Sequence, residues 1–234
     1  DDMYHGAHNF DTFFKAYCET LTALDESLGS VISYIEDSDV KDNTLILYMG
    51  DNGFSFGEHG LIDKRQAYEE SWRVPLLAWA PGMIKPGSKV KNLVQNIDIA
   101  PTVLDMAGLS APDYMPGKSF GPLLKGENVV EWRDKIFYEY YWEYAYPQTP
   151  TVHAVRTDRY KFIRYHGLWD SNEFYDLEND PWEMNNLIRI PEHQEQIAVM
   201  LDDLWTWLEE TGGMQIPLKR TTHKKIDNRF KGYY

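Results

Sequence analysis

The sequence predicts an α/β fold that includes a small antiparallel sheet with a helix packed on it near the C-terminus. In the first half, a helical repeat alternates with short apolar runs, which is the pattern of a wound α/β domain. In the second half, four aromatic-rich stretches separated by Pro, Asp or Gly indicate antiparallel strands. An amphipathic repeat that stops at Gly212 and Gly213 indicates the final helix.

Residues 1–135 are predicted to form the α/β part, from their apolar periodicity and turn residues. Residues 44–49 are a nearly continuous apolar run, which is typical of a strand buried on both faces of a parallel sheet. Asp98 is expected to cap the helix that follows it. The predicted elements are a helix at 11–35, strands at 44–49, 74–80 and 91–96, and a helix from about 100 to 107.

The first half does not contain enough strands for a sheet of its own. A parallel sheet of doubly buried strands needs neighbouring strands at its edges and helices on both faces. We therefore expect the missing strands to precede Asp1, so that this chain is the C-terminal half of a larger enzyme.

Residues 136–211 are predicted as a second subdomain, and residues 212–234 as a basic tail without a regular pattern. Partly alternating, aromatic-rich strands favour a small antiparallel sheet, and the helix presents Ile197, Leu204 and Leu208 on one side. The predicted elements are strands at 136–142, 152–156, 160–165 and 173–177 and a helix at 192–210.

Composition excludes several classes of protein. The 234 residues are 43% hydrophobic and 15% aromatic, so a buried core is feasible. The 23 basic and 37 acidic residues give a net charge of −14, which disfavours nucleic acid and anionic membrane surfaces as partners. No apolar run approaches the roughly 20 residues of a membrane-spanning helix. The lone Cys18 excludes an internal disulfide.

A candidate metal site follows the strand at 44–49. Asp51 and Asn52 come directly after it, and ligands bind at the carboxyl ends of strands in open α/β sheets. Their side chains offer hard oxygen donors, which suit calcium or magnesium rather than a soft metal. Asp-Asn-Gly is also a good turn sequence, and that alternative stays open at this point.

Several short motifs follow one another in a fixed order. They are Asp51-Asn52, Gly57-Glu58-His59-Gly60, Asp63-Lys64-Arg65, Tyr68-Glu69 and Arg73-Val74-Pro75-Leu76, with Asn96-Ile97-Asp98-Ile99-Ala100-Pro101-Thr102 and Arg156-Thr157-Asp158-Arg159-Tyr160-Lys161 behind them. This order resembles the sulfatase family, the formylglycine-dependent sulfuric ester hydrolases of the alkaline phosphatase superfamily. Residues 62–69 look most similar to N-acetylglucosamine-6-sulfatases. The resemblance implies that residues 1–135 are the C-terminal part of an alkaline-phosphatase-like sandwich core.

The resemblance also implies roles for five residues. Asp51 and Asn52 would supply two ligands of a single Ca²⁺, and Lys64 would reach the sulfate oxygens. A cation and a fixed ammonium there would stabilise the negative charge that develops during sulfate ester hydrolysis. His59 would donate to the leaving group or to a sugar hydroxyl, and His153 would contact the saccharide.

Structural alternatives stay open for three of these residues. Lys64 is otherwise a surface lysine paired with Glu69 or Glu70. His59 otherwise closes its loop through a hydrogen bond to the backbone. His153 otherwise packs within an ordinary strand.

The nucleophile that the family uses is not encoded in this chain. Sulfatases of this type convert a Cys or Ser in a Cys/Ser-x-Pro-x-Arg motif to formylglycine, and no such motif occurs here. Cys18 lies within the first predicted helix. The formylglycine is therefore expected upstream, so that the full protein hydrolyses sulfate esters and this chain alone does not.

Two other functions remain in competition. A phosphodiesterase or phosphatase of the same superfamily is the nearest, although Asn52 is a poor ligand for a second transition-metal ion. A non-catalytic carbohydrate-binding module at 136–211 is the other. The expected partners are a sulfated saccharide and the missing N-terminal half, without nucleic acid or a membrane span. The family resemblance favours export to the periplasm or the extracellular space.

Overall fold

The computed structural model describes residues 9–143, 145–146, 148–167 and 171–215. These residues form two short antiparallel strand pairs, a four-stranded antiparallel sheet and five α-helices. The helices are α1 (Phe10–Glu36), α2 (Glu69–Trp72), α3 (Ile99–Met106), α4 (Gly121–Leu124) and α5 (Gln194–Thr211). The strands are β1 (Ile46–Met49), β2 (Ser55–Phe56), β3 (Ile62–Asp63), β4 (Leu76–Trp79), β5 (Lys135–Tyr140), β6 (Val152–Thr157), β7 (Tyr160–Tyr165) and β8 (Glu173–Asp176).

Helix α1 confirms the helix that the apolar repeat predicts. Asn9 caps it, because the side-chain oxygen of Asn9 accepts a hydrogen bond from the backbone N–H of Thr12 at 3.1 Å. Its apolar face and the strands β1 and β4 line a groove of about 400 Å³. Phe14 and Leu24 on this face are 42% and 39% exposed. The described residues therefore leave part of the apolar face uncovered.

Strands β1 and β4 form an antiparallel pair, so the prediction of parallel pairing is wrong for these strands. Ile46 lies opposite Trp79, and Met49 lies opposite Leu76. Residues 50–75 connect the two strands and are called the motif loop. This loop leaves the sheet at the end of β1 and returns to the sheet at that same end. A parallel pair would need a crossover to the opposite end. The residues of β1 are half-buried rather than buried on both faces.

The segment before α3 also differs from its prediction. Residues 91–95 form no strand, and the Gln95 side-chain amide donates to the carbonyl of Phe137 on β5 at 3.0 Å. Asp98 precedes α3 as expected, but its carboxylate does not cap this helix. Asp98 is fully buried and accepts hydrogen bonds from the backbone N–H groups of Gln95 and Lys118 and from the guanidinium of Arg133. Because a buried carboxylate needs such partners, these interactions replace the cap.

The four-stranded sheet has the order β5-β6-β7-β8 with every neighbouring pair antiparallel, which confirms the predicted second sheet. Successive side chains along each strand point to opposite faces. On one face, Val155, Phe162 and Phe174 pack against Met200 and Leu204 of α5. This face and the helix make the larger hydrophobic core.

The opposite face of the same sheet packs against the motif loop. Ala154 and Ile163 of the sheet and Ala67 of the loop are fully buried, and Tyr68 of the loop packs with them at 7% exposure. Full burial of an aliphatic side chain such as Ile163 stabilises a fold by roughly 1.5–3 kcal/mol. The second sheet thus holds the loop that carries most of the sequence motifs.

The chain after α5 is described only to residue 215, so most of the predicted basic tail lies outside the described residues. Gly212 ends α5 in a left-handed conformation with a φ of +75°, as the Gly-Gly stop predicts. Among the described helices, none combines the length and the apolar character needed to cross a membrane.

Candidate functional site

Asp51 and Asn52, the candidate metal pair, lie directly beyond the end of β1. The exposed Asp51 carboxylate accepts a hydrogen bond from the backbone N–H of Asn52 at 2.9 Å. The Asn52 amide donates to the carbonyl of Gly53 at 2.7 Å, which leaves its own carbonyl oxygen for another partner. These bonds form a local turn, and they are compatible with metal binding. Two adjacent oxygen donors fit part of a Ca²⁺ site, which takes roughly six to eight oxygen ligands.

A close backbone contact holds the candidate metal pair against the start of α2. The N–H of Gly53 donates to the carbonyl of Ser71 at 2.9 Å. A Cβ at Gly53 would collide with the carbonyl of Glu70, so this approach requires glycine. The candidate metal pair is therefore fixed beside the Glu70–Ser71 backbone.

Lys64 directly follows the hairpin of β2 and β3, in which Ser55 lies opposite Asp63. Because the hairpin reverses the direction of the chain, Lys64 lies beside the residues that lead from the candidate metal pair into β2. The Lys64 side chain is exposed. Among the described residues, neither Glu69 nor Glu70 pairs with it, so the surface ion pair considered from the sequence is not observed.

His59 lies in a 3₁₀ turn with a φ of +55°, which is uncommon for a residue other than glycine. Its ring stacks on Tyr68 with the ring centroids 3.8 Å apart. Its Nε2 lies 3.6 Å from Oε2 of Glu70, and the two side chains are 11% and 14% exposed. Backbone hydrogen bonds of 3.0 and 2.9 Å close the turn. Among the described residues, the imidazole itself makes no bond to the backbone.

The buried ammonium of Lys161, on β7, anchors the motif loop to the second sheet. Its Nζ donates to the carbonyl of Ala67 at 3.0 Å and lies 2.8 Å from Glu69 and 2.7 Å from Glu183. Burial favours the neutral form of Glu69, but the charges of Lys161 and Arg156 outweigh burial and lower its pKa. At Glu183, burial outweighs the charge of Lys161 and raises the pKa of the carboxyl group.

Glu173, on β8, fixes the tyrosine on which His59 stacks. Its carboxylate accepts hydrogen bonds from the phenol groups of Tyr68 at 2.9 Å and Tyr175 at 3.0 Å. Burial raises the pKa of Glu173. Burial and the nearby Glu173 carboxylate raise the pKa of both tyrosines, so both phenols stay protonated and act as donors.

The polar atoms of His59, Glu70 and Glu183 lie within 4.8 Å of one another. A histidine and two carboxylates at such distances are a typical metal-binding combination. Glu183, however, already lies 2.7 Å from the ammonium of Lys161. A metal cation bound there would face that buried positive charge, so the arrangement does not favour a second metal site.

His153 lies on β6, on the same face of the sheet as Val155 and therefore on the α5 side. It is fully buried, and its Nδ1 lies 2.9 Å from Nε2 of His166. Burial and the neighbouring His166 lower the pKa of His153 to about 4. The sheet separates His153 from the motif loop. Its saccharide contact stays a prediction, and the observed surroundings are those of the packing alternative.

Sequence reasoning missed the residues that hold the motif loop in place, because a strand pattern does not show which polar side chain is buried. Lys161 was recognised only as part of a motif. Its signal is a charged residue at an inward-facing position, next to Phe162 in a strand of otherwise large side chains. Glu173 and Glu183 carry no comparable signal in the sequence.

Two protein-family models match the chain. The model described as "N-sulphoglucosamine sulphohydrolase, C-terminal" matches residues 57–210. The model described as "Sulfatase" matches residues 3–109. The two matches overlap at residues 57–109, and together they include the candidate metal pair and the second sheet.

Curated relatives and a solved structure agree with the family models. The N-acetylglucosamine-6-O-sulfatase of Bacteroides thetaiotaomicron is 38% identical over 207 residues, which are 86% of this chain and 36% of that protein. The N-acetylglucosamine-6-sulfatase of Bos taurus is 41% identical over 147 residues, which are 62% of this chain and 26% of that protein. A protein solved in complex with its substrate D-glucosamine-2-N,6-O-disulfate is 34% identical, has a TM-score of 0.79, and is matched over 86% of this chain and 41% of its own.

The chain spans about a third of the length of the curated relatives it matches. The structural match confirms the predicted fold, which is the C-terminal part of an alkaline-phosphatase-like core followed by a small antiparallel sheet and a C-terminal helix. From the matched family models and this shared fold, we conclude that the chain belongs to the sulfatase family.

Proposed function

We propose that the protein containing this chain hydrolyses sulfate esters of saccharides, with N-acetylglucosamine 6-sulfate as the preferred substrate. Two relatives named as N-acetylglucosamine-6-sulfatases and the complex with a 6-O-sulfated glucosamine support this choice. One observation within the chain carries the proposal. The Gly53 contact holds the candidate metal pair beside the Glu70–Ser71 backbone, and Nε2 of His59 lies 3.6 Å from Oε2 of Glu70. Lys64 follows the β2–β3 hairpin in the same loop.

In this proposal the three kinds of side chain have separate roles. Asp51 and Asn52 hold a Ca²⁺, which when bound supplies positive charge for the sulfuryl oxygens. The exposed Lys64 ammonium stabilises the same developing charge. His59 gives a proton to the leaving alcohol oxygen as the sulfur–oxygen bond breaks.

The attacking oxygen belongs to a part of the protein outside these residues. The sequence contains no Cys/Ser-x-Pro-x-Arg segment, and Cys18 lies within α1. We therefore assign the formylglycine to the N-terminal half of the protein and expect the isolated chain to be inactive. Saccharide sulfates are found outside cells, and for this reason we propose that the protein is exported, to the periplasm or the extracellular space.

The Asp51→Ala variant of the full-length protein tests the proposal. We expect its kcat on N-acetylglucosamine 6-sulfate to fall by at least about 100-fold, because the cation that balances developing charge is lost. The response of the rate to added Ca²⁺ should disappear with it. The control is Asp39→Ala, which removes an exposed carboxylate of the polar loop before β1 and should leave both quantities unchanged.

The same assay separates the competing functions. Turnover of a phosphodiester or phosphomonoester, with none of the sulfate ester, would support a phosphatase of the same superfamily. Saccharide binding without turnover of any ester would support a binding module. If Asp51→Ala keeps wild-type turnover and Ca²⁺ response, Asp51 is not a metal ligand.

A further inference from the structure

The candidate metal pair is tied to one short segment by a backbone hydrogen bond on each side. The N–H of Gly50 donates to the carbonyl of Pro75 at 3.3 Å, and the N–H of Gly53 donates to the carbonyl of Ser71 at 2.9 Å. Both acceptors lie within residues 69–75, the α2 segment, which consists of α2 and the three residues that lead into β4. Because the pair lies between these two bonds, the position of the α2 segment sets the position of the pair.

The start of the α2 segment is held from the second sheet. The buried Nζ of Lys161 donates to the carbonyl of Ala67 at 3.0 Å and lies 2.8 Å from the carboxylate of Glu69. The backbone N–H of Glu69 donates to Glu183 at 2.7 Å, and Glu183 lies 2.7 Å from Lys161. The ammonium also lies 5.0 Å from the ring centroid of Trp72, the last residue of α2. One buried side chain therefore contacts both ends of α2.

A tether of this kind bears on metal affinity. The affinity of a Ca²⁺ site depends on the charge of its ligands and on how rigidly the protein holds them. Groups behind the ligands that fix their position typically contribute about 10- to 100-fold in metal affinity. Among the described residues, the side-chain hydrogen bonds of the pair run only to its own backbone and to Gly53. The rigidity of the pair therefore comes from β1 and from the α2 segment.

We propose that Lys161 is a positioning residue of the Ca²⁺ site: by holding the α2 segment, it keeps Asp51 and Asn52 in the geometry that binds the ion. This inference rests on the proposed function, in which the pair binds Ca²⁺. An ammonium cannot ligate a cation, so Lys161 acts through the backbone of α2 and the hydrogen bond from Gly53 to Ser71. The second sheet thereby contributes to a site that it does not itself contain.

The experiment measures the binding of Ca²⁺ to the full-length protein, stripped of metal with a chelator, by isothermal titration calorimetry. We expect Lys161→Met to raise the Kd for Ca²⁺ by about 10-fold or more, because the ligands are held less rigidly. Asp51→Ala removes a proposed ligand and identifies the binding signal of this site. The Ca²⁺ concentration for half-maximal hydrolysis of N-acetylglucosamine 6-sulfate should rise by the same factor in Lys161→Met, and the rate should recover at saturating Ca²⁺.

A matched control separates positioning from stability. Leu204→Ala opens a cavity on the opposite face of the sheet, where Leu204 of α5 is fully buried. It should lower the unfolding midpoint without changing the Kd for Ca²⁺. The double variant Lys161→Met, Glu183→Met replaces the buried ion pair with apolar side chains, and it should keep the raised Kd although its midpoint partly recovers. An equal rise of the Kd in Leu204→Ala, or a wild-type Kd in the double variant, would mean that Lys161 supports only the fold.

A second measurement uses the wild type alone. Coupling between two sites is reciprocal, so a Ca²⁺ ion that binds better when α2 is held must in turn hold α2 more firmly. We expect added Ca²⁺ to slow amide hydrogen exchange in peptides that cover residues 67–75, and not in peptides that cover α5. This measurement decides the inference if Lys161→Met does not fold, since unchanged exchange at residues 67–75 would overturn it.

The outcomes separate this inference from the proposed function. If the wild type binds Ca²⁺ and Lys161→Met binds it with the same Kd, the inference falls and the metal site of the proposed function stands. If the wild type binds no Ca²⁺, or if Asp51→Ala binds it with the wild-type Kd, the metal assignment fails and the inference falls with it.

Discussion

The ammonium of Lys161 has three partners within 3.0 Å although the side chain is fully buried. Ala67 and Glu69 lie in the motif loop, Glu183 follows β8, and Lys161 itself lies on β7, so three segments of the chain meet at this ammonium. Burying an unpaired ammonium is strongly unfavourable, so the three segments must converge for Lys161 to be accommodated. One residue therefore couples the second sheet to the candidate site.

We expect Lys161→Met in the full-length protein to lower the free energy of unfolding by about 3–5 kcal/mol, because Glu183 would stay buried without its cation and Glu69 would keep only its arginine partners. The measurement is the midpoint of thermal or denaturant unfolding. Lys89→Met removes an exposed lysine and should change the midpoint little. In the double variant Lys161→Met, Glu183→Met, part of the loss should be recovered. No recovery would mean that packing, rather than the uncompensated carboxylates, causes the loss.

Strands β6 and β7 and helix α5 meet at a pair of histidines. Nδ1 of His153 lies 2.9 Å from Nε2 of His166, and the ring of His166 approaches Trp205 of α5 at 6.1 Å between centroids. Burial and His166 lower the pKa of His153 to about 4, and burial and the charge of Arg164 lower the pKa of His166 to about 4. Both imidazoles are therefore neutral in the folded protein at neutral pH.

This pair predicts a loss of stability in mild acid. An unfolded chain binds protons at these imidazoles near the ordinary pKa of 6.5, whereas the folded chain binds them only near 4. Between these values the unfolded state holds more protons, so stability falls as the pH falls. We expect the unfolding midpoint to drop between about pH 6.5 and pH 4.5, and His166→Gln to make that drop shallower. An equally steep drop in His166→Gln would contradict the prediction.

In the described part of the molecule, the apolar surface of α1, β1 and β4 is only partly covered by other residues. Helix α1 has no fully buried residue, β1 and β4 form only a two-stranded sheet, and Leu77 of β4 is 64% exposed. An apolar helix face beside a two-stranded sheet does not make a stable core by itself. The N-terminal half of the protein, which we propose as the partner of this chain, would cover that surface.

We expect the isolated chain to bind a hydrophobic dye and to self-associate, and the full-length protein to do neither. Leu24→Glu should lower the unfolding midpoint of the full-length protein by about 5 °C or more, because it would bury a charge. Thr22→Glu, on the polar side of α1, serves as the control and should have little effect. If both substitutions are equally harmless in the full-length protein, this face of α1 is not covered.

The sequence predicted most of the elements because their patterns are local. Helices α1 and α5 and the four strands of the second sheet follow from apolar periodicity and from breakers such as Gly212. Strand direction and the strand at 91–96 were predicted wrongly, because pairing depends on where a distant segment returns. The division at residue 135 stays a prediction.

The order of the motifs was enough, by itself, to place the chain in the sulfatase family and to single out Asp51, Asn52, Lys64 and His59 as candidate site residues. Only the tertiary structure showed that His153 lies across the sheet from them and that Lys161 and Glu173 hold the motif loop. The reason is physical. Motif and periodicity are properties of neighbours in the chain, whereas the burial and pairing of a charged side chain depend on segments that meet only in the folded protein.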